Sequence, residues 1–299
     1  MRKHPVILGL AILFFMAILF YVFFYKAGSD AGKVTTTFTS GNKIGVVSVD
    51  GPIYDSIKIA EQLDEFGRDS SITAVILRVD SPGGGVAASQ EIYDAVVELR
   101  KKKKVVASMG SIAASGGLLV ACAADQIVAN PGTITGSISA IMQFANFEEL
   151  LKKIGLKSAV VKSGKYKDIG SPLRDMTPEE RKIIQELVDD IYNQFVDVIV
   201  KDRKLPRQKV LEIADGRVFS GRKAKEYGLV DHLGDMGYAA KLAVELAGKT
   251  GKYDLVYPRK KHESVFDYLV ESAANQLSDS LHEKMETMSG VSYLYYPFR

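Results

Sequence analysis

Two short stretches carry residue types that can do nucleophilic chemistry together. One is Ala114-Ser115-Gly116-Gly117, the other Ser163-Gly164-Lys165-Tyr166-Lys167-Asp168, and no histidine lies near either in the sequence. A serine hydroxyl is a weak nucleophile until a base takes its proton. A lysine can be that base only as the neutral amine, which burial beside apolar groups favours without help from a histidine. Val161 and Ile169 flank Lys167 and are the candidates for drying it. Asp168 would oppose that effect and is expected to point away. Each residue also has a plainer reading: Ser115 is a favoured helix N-cap type, and most lysines are simply solvated.

A third stretch, Asp80-Ser81-Pro82-Gly83-Gly84-Gly85, follows a run of apolar residues that reads as a buried strand. In open α/β sheets ligands bind at the carboxyl ends of strands. Glycines let a backbone approach a substrate closely, and their N–H groups can receive the oxyanion of a tetrahedral intermediate. The alternative is a tight strand–helix turn. A phosphate-binding loop is excluded by spacing, because neither GxxxxGK[ST] nor GxGxxG is present. Ser137, in Thr135-Gly136-Ser137-Ile138, is the candidate to hold the lysine in place, and its alternative is an ordinary turn serine.

These residues need a scaffold. Strands are expected at 44–49, 74–79, 105–109 and 126–129, with a short one at 158–161 and a possible last one at 253–257. Helices are expected at 55–66, 87–99 and 238–246, and Ser220 is a second N-cap candidate. Strands alternating with helices of this length predict an α/β fold with a largely parallel sheet and flanking helices. Thr177-Pro178-Glu179-Glu180 reads as a capping box with proline at the first helical position. The helix it opens is expected to run to about Lys204, with an apolar stripe through Ile183, Leu187, Ile191, Phe195 and Val198.

Val6 to Tyr25 carries no formal charge, follows Arg2 and Lys3, and is followed by Lys26. About 20 apolar residues suffice to span a bilayer as a helix. The expectation is one N-terminal transmembrane helix, with the short N-terminus cytoplasmic and the catalytic domain extracytoplasmic. A cleaved signal peptide is the alternative; it is disfavoured by the length and aromatic end of the run. The expected organisation is a cytoplasmic stub (1–5), anchor (6–25), flexible linker (26–43), catalytic domain (44–260), and a C-terminal helical segment with an aromatic tail (261–299). The net charge of +3 gives no reason to expect a nucleic-acid partner. The single cysteine, Cys122, forms no intrachain disulfide and reads as core packing, and no metal or other cofactor is expected.

Several stretches together resemble the short bacterial signal peptide peptidases of serine peptidase family S49. They are DSPGGG (80–85), MGSIAASGG (109–117), ANPGTITGSI (129–138), SGKYKDIGSP (163–172), MTPEER (176–181) and DGRVFSGRKAKEYGLVD (215–231). The resemblance implies a ClpP/crotonase-like fold and a Ser–Lys dyad. Ser115 would be nucleophile, Lys167 general base and Ser137 the lysine-orienting residue, with Gly83 and Gly84 supplying the oxyanion hole. It also implies degradation of remnant signal peptides, with unfolded or misfolded secreted chains as further substrates, and self-association into a ring whose expected size is an octamer. The bilayer would be a partner through residues 6–25. Leu118, Leu119 and Ile138 are expected to line an apolar substrate pocket. Many family members carry aromatic residues where this chain has Leu118-Leu119, which bears on pocket shape. Two rivals are acyl-thioester chemistry in the crotonase manner and a non-enzymatic membrane scaffold.

Overall fold

The computed structural model of the chain describes residues 14–16, 18, 41–258 and 291–294. Two compact units divide at residue 41. In the first, Phe14, Phe15, Met16 and Ile18 are helical and exposed. The remainder of the expected anchor and linker, like the helical segment expected after residue 260, lies outside the described residues. Among the described residues no helix is long and apolar enough to cross a membrane. The expected transmembrane helix is corrected accordingly. The expectations that rested on it, a bilayer partner and a single-pass membrane location with an extracytoplasmic catalytic domain, are withdrawn with it.

The second unit runs, in chain order, β1 (Asn42–Asp50), α1 (Ile57–Arg68), β2 (Ile72–Ser81), β3 (Gly83–Gly85), α2 (Val86–Arg100), β4 (Lys104–Ala114), α3 (Gly116–Cys122), β5 (Gln126–Ala129), β6 (Ile134–Gly136), β7 (Ile141–Met142), α4 (Glu148–Lys153), α5 (Pro178–Arg203), α6 (Arg207–Leu211), β8 (Val218–Ser220), α7 (Gly221–Glu226), β9 (His232–Leu233), α8 (Met236–Leu246), β10 (Tyr253–Val256) and β11 (Val291–Leu294). The main sheet has the order β10-β1-β2-β4-β5-β9, and each of these neighbours is parallel. β5 pairs with the first half of β4, and β6 with its end, through Ile112 to Ala114. β8 pairs antiparallel to β6, and β3, β11 and β7 form a separate antiparallel sheet. The sheet topology is therefore mixed: the main sheet is parallel as expected in all but its β6–β8 pairing, and the small second sheet is antiparallel. Long crossovers enforce parallel pairing between the main strands. The short strands β3, β7, β8 and β11 are not bound by that constraint.

Alternation along the strands explains why they read as unbroken apolar runs. Ile44, Val46, Ala74, Ile76, Val106 and Val128 face α8, packing on Ala239, Ala240, Ala243 and Val244. Their neighbours Val47, Val75, Leu77, Val105, Ala107 and Ile127 belong to the larger core shared with α1, α2, α3 and α5. Side chains alternate across a strand, so a sheet covered on both faces is apolar at every position.

The capping box forms as expected: Thr177 Oγ1 accepts from the Glu180 N–H at 3.2 Å, and Glu180 Oε2 accepts from the Thr177 N–H at 2.9 Å. Helix α5 ends at Lys204, which takes a left-handed conformation. Its stripe is only half used. Phe195, Val196 and Ile199 are buried, whereas Ile183 and Leu187 are exposed. The strand expected at 158–161 is absent; Val160 and Val161 project into solvent and no strand pairs with them.

Candidate active site

Strand β4 ends at Ala114, and α3 starts at Gly116. Ser115 is the joint, with φ 55° and ψ −119°. An L-residue rarely adopts that backbone, and such strain gathers at functional sites. Its N–H donates to Gly136 O at 2.8 Å, and its carbonyl accepts from the Leu119 N–H at 3.0 Å. The backbone is thus tied on both sides while the side chain is not. Ser115 caps nothing with its hydroxyl, so the N-cap alternative does not describe it. Among the described residues, Ser115 Oγ is the one buried side-chain polar atom without a hydrogen-bond partner.

The glycines permit the close approach. A methyl on Gly116 would stand 2.5 Å from Ser89 Oγ and 3.3 Å from the Gly83 Cα, so β3 lies directly against the start of α3. A methyl on Gly84 would stand 2.1 Å from Ile53 O. Gly83 O accepts from the Ile53 N–H at 2.9 Å, and Gly85 N–H donates to Ile53 O at 2.7 Å. Polar groups alternate sides along a strand, so those of Gly84 turn away from Ile53, towards β11. Of the two expected oxyanion donors, Gly83 N–H is already taken by Ser81 Oγ at 3.1 Å. Gly84 N–H is bonded to neither Ile53 nor Ser81.

Ser137 directly follows β6 and shares the unusual backbone, with φ 53°. Its N–H donates to Arg217 O at 2.8 Å. Because β6 pairs with the end of β4, Ala114 opposite Gly136, Ser115 and Ser137 sit at adjacent strand ends. The expected pocket residues Leu118, Leu119 and Ile138 are fully buried members of the main core, which places them beneath the site rather than on an accessible wall. Cys122 is also in this core, and burial pushes its thiol up to about 12, away from thiolate chemistry.

Lys167 does not hydrogen-bond to Ser115. It lies exposed on the loop between α4 and α5, and the Ser115 hydroxyl has no partner. Val161, expected to help dry the lysine, is fully exposed. Asp168 does point elsewhere, as expected. Its Oδ2 accepts from Arg174 Nε at 3.0 Å, and Lys162 pairs with its other oxygen. Arg174 also grips Glu180 through two bonds, of 2.5 and 2.8 Å. Arg174, then Lys162, holds the Asp168 carboxyl well below the usual carboxylate range. Arg174, with the Thr177 N–H, holds Glu180 down at about 2. The lysine loop is thereby pinned to the first turn of α5. Arg174 and Ser81 escaped the sequence reading, since a charge pairing and a side-chain bond to a glycine amide leave no periodic trace. In the sequence Glu180 reads only as a cap.

A groove of about 500 Å³ borders β7 and this loop, lined by Ile141, Met142, Gly170, Arg174 and Ile184 among others. Ser115 does not line it.

The sequence was compared with known proteins. The profile of peptidase family S49 matches residues 97–250, and a Clp protease profile matches residues 31–134. A provisionally named protease of Synechocystis sp. is 51% identical over 58% of this chain and 63% of its own length. Another from Methanocaldococcus jannaschii is 40% identical over 68% of this chain and 66% of its own. A provisionally named signal peptide peptidase of Enterococcus faecium is 35% identical over 71% of this chain and 65% of its own. The matches thus span just under two thirds of the length of these relatives.

Proposed function

Since the chain belongs to peptidase family S49, we propose that it is a serine endopeptidase with Ser115 as nucleophile, Lys167 as general base, Ser137 as the residue orienting that lysine, and Gly84 as oxyanion donor. The observation that carries this reading is the buried, unpartnered Ser115 hydroxyl on a strained strand–helix joint beside a glycine strand. A buried hydroxyl left unbonded costs about 1–3 kcal/mol, and a catalytic role gives that cost a purpose. The finer reading is a short-form signal peptide peptidase acting on apolar peptides, in line with the name of the Enterococcus relative. It invokes no membrane anchor.

Ser115 Oγ would attack the scissile carbonyl while its proton passes to the Lys167 amine. Gly84 N–H would receive the oxyanion. The lysine would return the proton to the leaving nitrogen, and water would then release the acyl group from Ser115 by the reverse sequence. For this, Lys167 has to be delivered to the pocket from the exposed position it occupies on its loop.

The test is cleavage of an apolar fluorogenic peptide by wild type, Ser115→Ala and Lys167→Ala, with a melting curve for each. Both variants should remain folded and lose about 10³-fold or more in kcat, because nucleophile and base act as a unit. A fluorophosphonate should label the wild type and not Ser115→Ala, which the crotonase-like and scaffold rivals do not predict. Undiminished cleavage by either folded variant would remove that residue from the dyad.

A further inference from the structure

Strand β4 holds more residues than the strand beside it. Along β2, Val79 stands opposite Met109 and Ser81 opposite Ala113. Between those pairs Asp80 alone opposes Gly110, Ser111 and Ile112, so β4 bulges by two extra residues. An even number preserves the facing of the strand. Met109 and Ala113 both lie in the main core with Val79, and Ser111 is turned out to solvent.

The bulge sets where the strand ends. Two residues on from the Ser81–Ala113 pair come Gly83 and Ser115. The two segments do meet there, since a methyl on Gly116 would stand 3.3 Å from the Gly83 Cα. In a regular ladder Ser111 would oppose Ser81 instead. Ser115 would then overshoot the glycine strand by two residues, about 6–7 Å. β4 also changes partner across the bulge, from β5 at Ser108 to β6 at Ile112.

An interrupted ladder leaves backbone groups to satisfy, and side chains take them here. Asp80 Oδ1 accepts from the Ile112 N–H at 3.1 Å. Thr133 Oγ1, fully within the protein, donates to Gly110 O at 2.7 Å. Arg78 Nη1 donates to Met109 O at 3.2 Å. The second carboxylate oxygen of Asp80 fills the place a side chain on Gly110 would need, so only glycine fits at that point of the bulge.

We infer that Asp80 and Thr133 are positioning residues for Ser115, holding the β4 bulge that brings the nucleophile level with the glycine strand. This rests on the serine-peptidase reading above. Both act through the backbone of β4. Bulges beside active sites re-aim a side chain, and a misplacement of about 1 Å can cost about a hundredfold in rate.

The experiment measures kcat and KM for the apolar fluorogenic peptide, the rate of fluorophosphonate labelling, and a melting curve, all on the full-length chain. Asp80→Asn keeps an acceptor oxygen and should hold kcat within about threefold of wild type. Asp80→Ala removes the acceptor. Its kcat and labelling rate should both fall about a hundredfold, with KM unchanged. Thr133→Val keeps the side-chain shape and should lose about tenfold in both rates. A loss of stability alone would lower the melting temperature without separating Asn from Ala in kcat. The inference is overturned if folded Asp80→Ala keeps the wild-type kcat, if Asn loses as much as Ala, or if the loss lies in KM or spares labelling. Should Asp80→Ala not fold, Thr133→Val decides, and undiminished kcat and labelling there overturn it as well. Each of these outcomes leaves the peptidase reading standing. If wild type neither cleaves the peptide nor takes the label, that reading falls and this one with it.

Discussion

Ser115 combines two costs in one residue: a backbone at φ 55° and a buried hydroxyl with no partner. Neither helps the fold. Glycine takes positive φ without steric penalty and carries no hydroxyl to strand. Ser115→Gly is therefore expected to raise stability by about 1 kcal/mol, read as a higher denaturant midpoint, while abolishing cleavage. A lower midpoint would mean the hydroxyl stabilises the native state. The serine's identity was readable from the glycines around it. Its conformation was not, because Ala114-Ser115-Gly116 suits an N-cap equally well until the strand before it and the Gly136 carbonyl beside it are in place.

At the scale of elements, the loop before α5 is held by charge rather than by apolar contact. Asp168, Arg174 and Glu180 form one chain of ion pairs ending in the capping box of α5. Both carboxyls are held below their ordinary values by Arg174. A group whose folded pKa is depressed stabilises above its unfolded pKa and loses that contribution as pH falls towards the folded one. For Glu180 the window runs from an unfolded value of about 4.3 down to about 2. Melting temperature should fall across that window in wild type, and the slope should be shallower in Glu180→Gln. Equal slopes would show that the pair contributes nothing to acid stability. The capping box was legible because threonine, proline and glutamate have fixed places in a first turn. The Arg174 pairing was not, because nothing in its spacing distinguishes it from a solvated arginine. The expected strand at 158–161 failed for a related reason: Val160 and Val161 have β propensity, but no neighbouring edge takes them up.

At the scale of the whole molecule, the main strands were legible because burial on both faces makes them apolar throughout. The pairing of β11 with β3 was not. Glycines carry no hydropathy signal, and the two segments lie far apart in the chain. The same distance governs the edge of the main sheet. β1 opens the domain and β10 comes about 200 residues later, yet they lie side by side, Asn42 against Tyr253 and Ile44 against Leu255. One side of β1 therefore waits for its partner until roughly 200 further residues have been made, about 10–40 s at ordinary rates of synthesis. An unpaired strand edge is a template for other chains. A chain ending before Tyr253 keeps that edge permanently and is expected to sediment with the insoluble fraction when expressed, where the full-length chain stays in the supernatant. Recovery of the shortened chain as a soluble, cooperatively melting protein would show that β10 is dispensable. Otherwise the ribosome's timetable belongs to this fold's chemistry, since nascent chains on one message expose identical edges to each other throughout that interval.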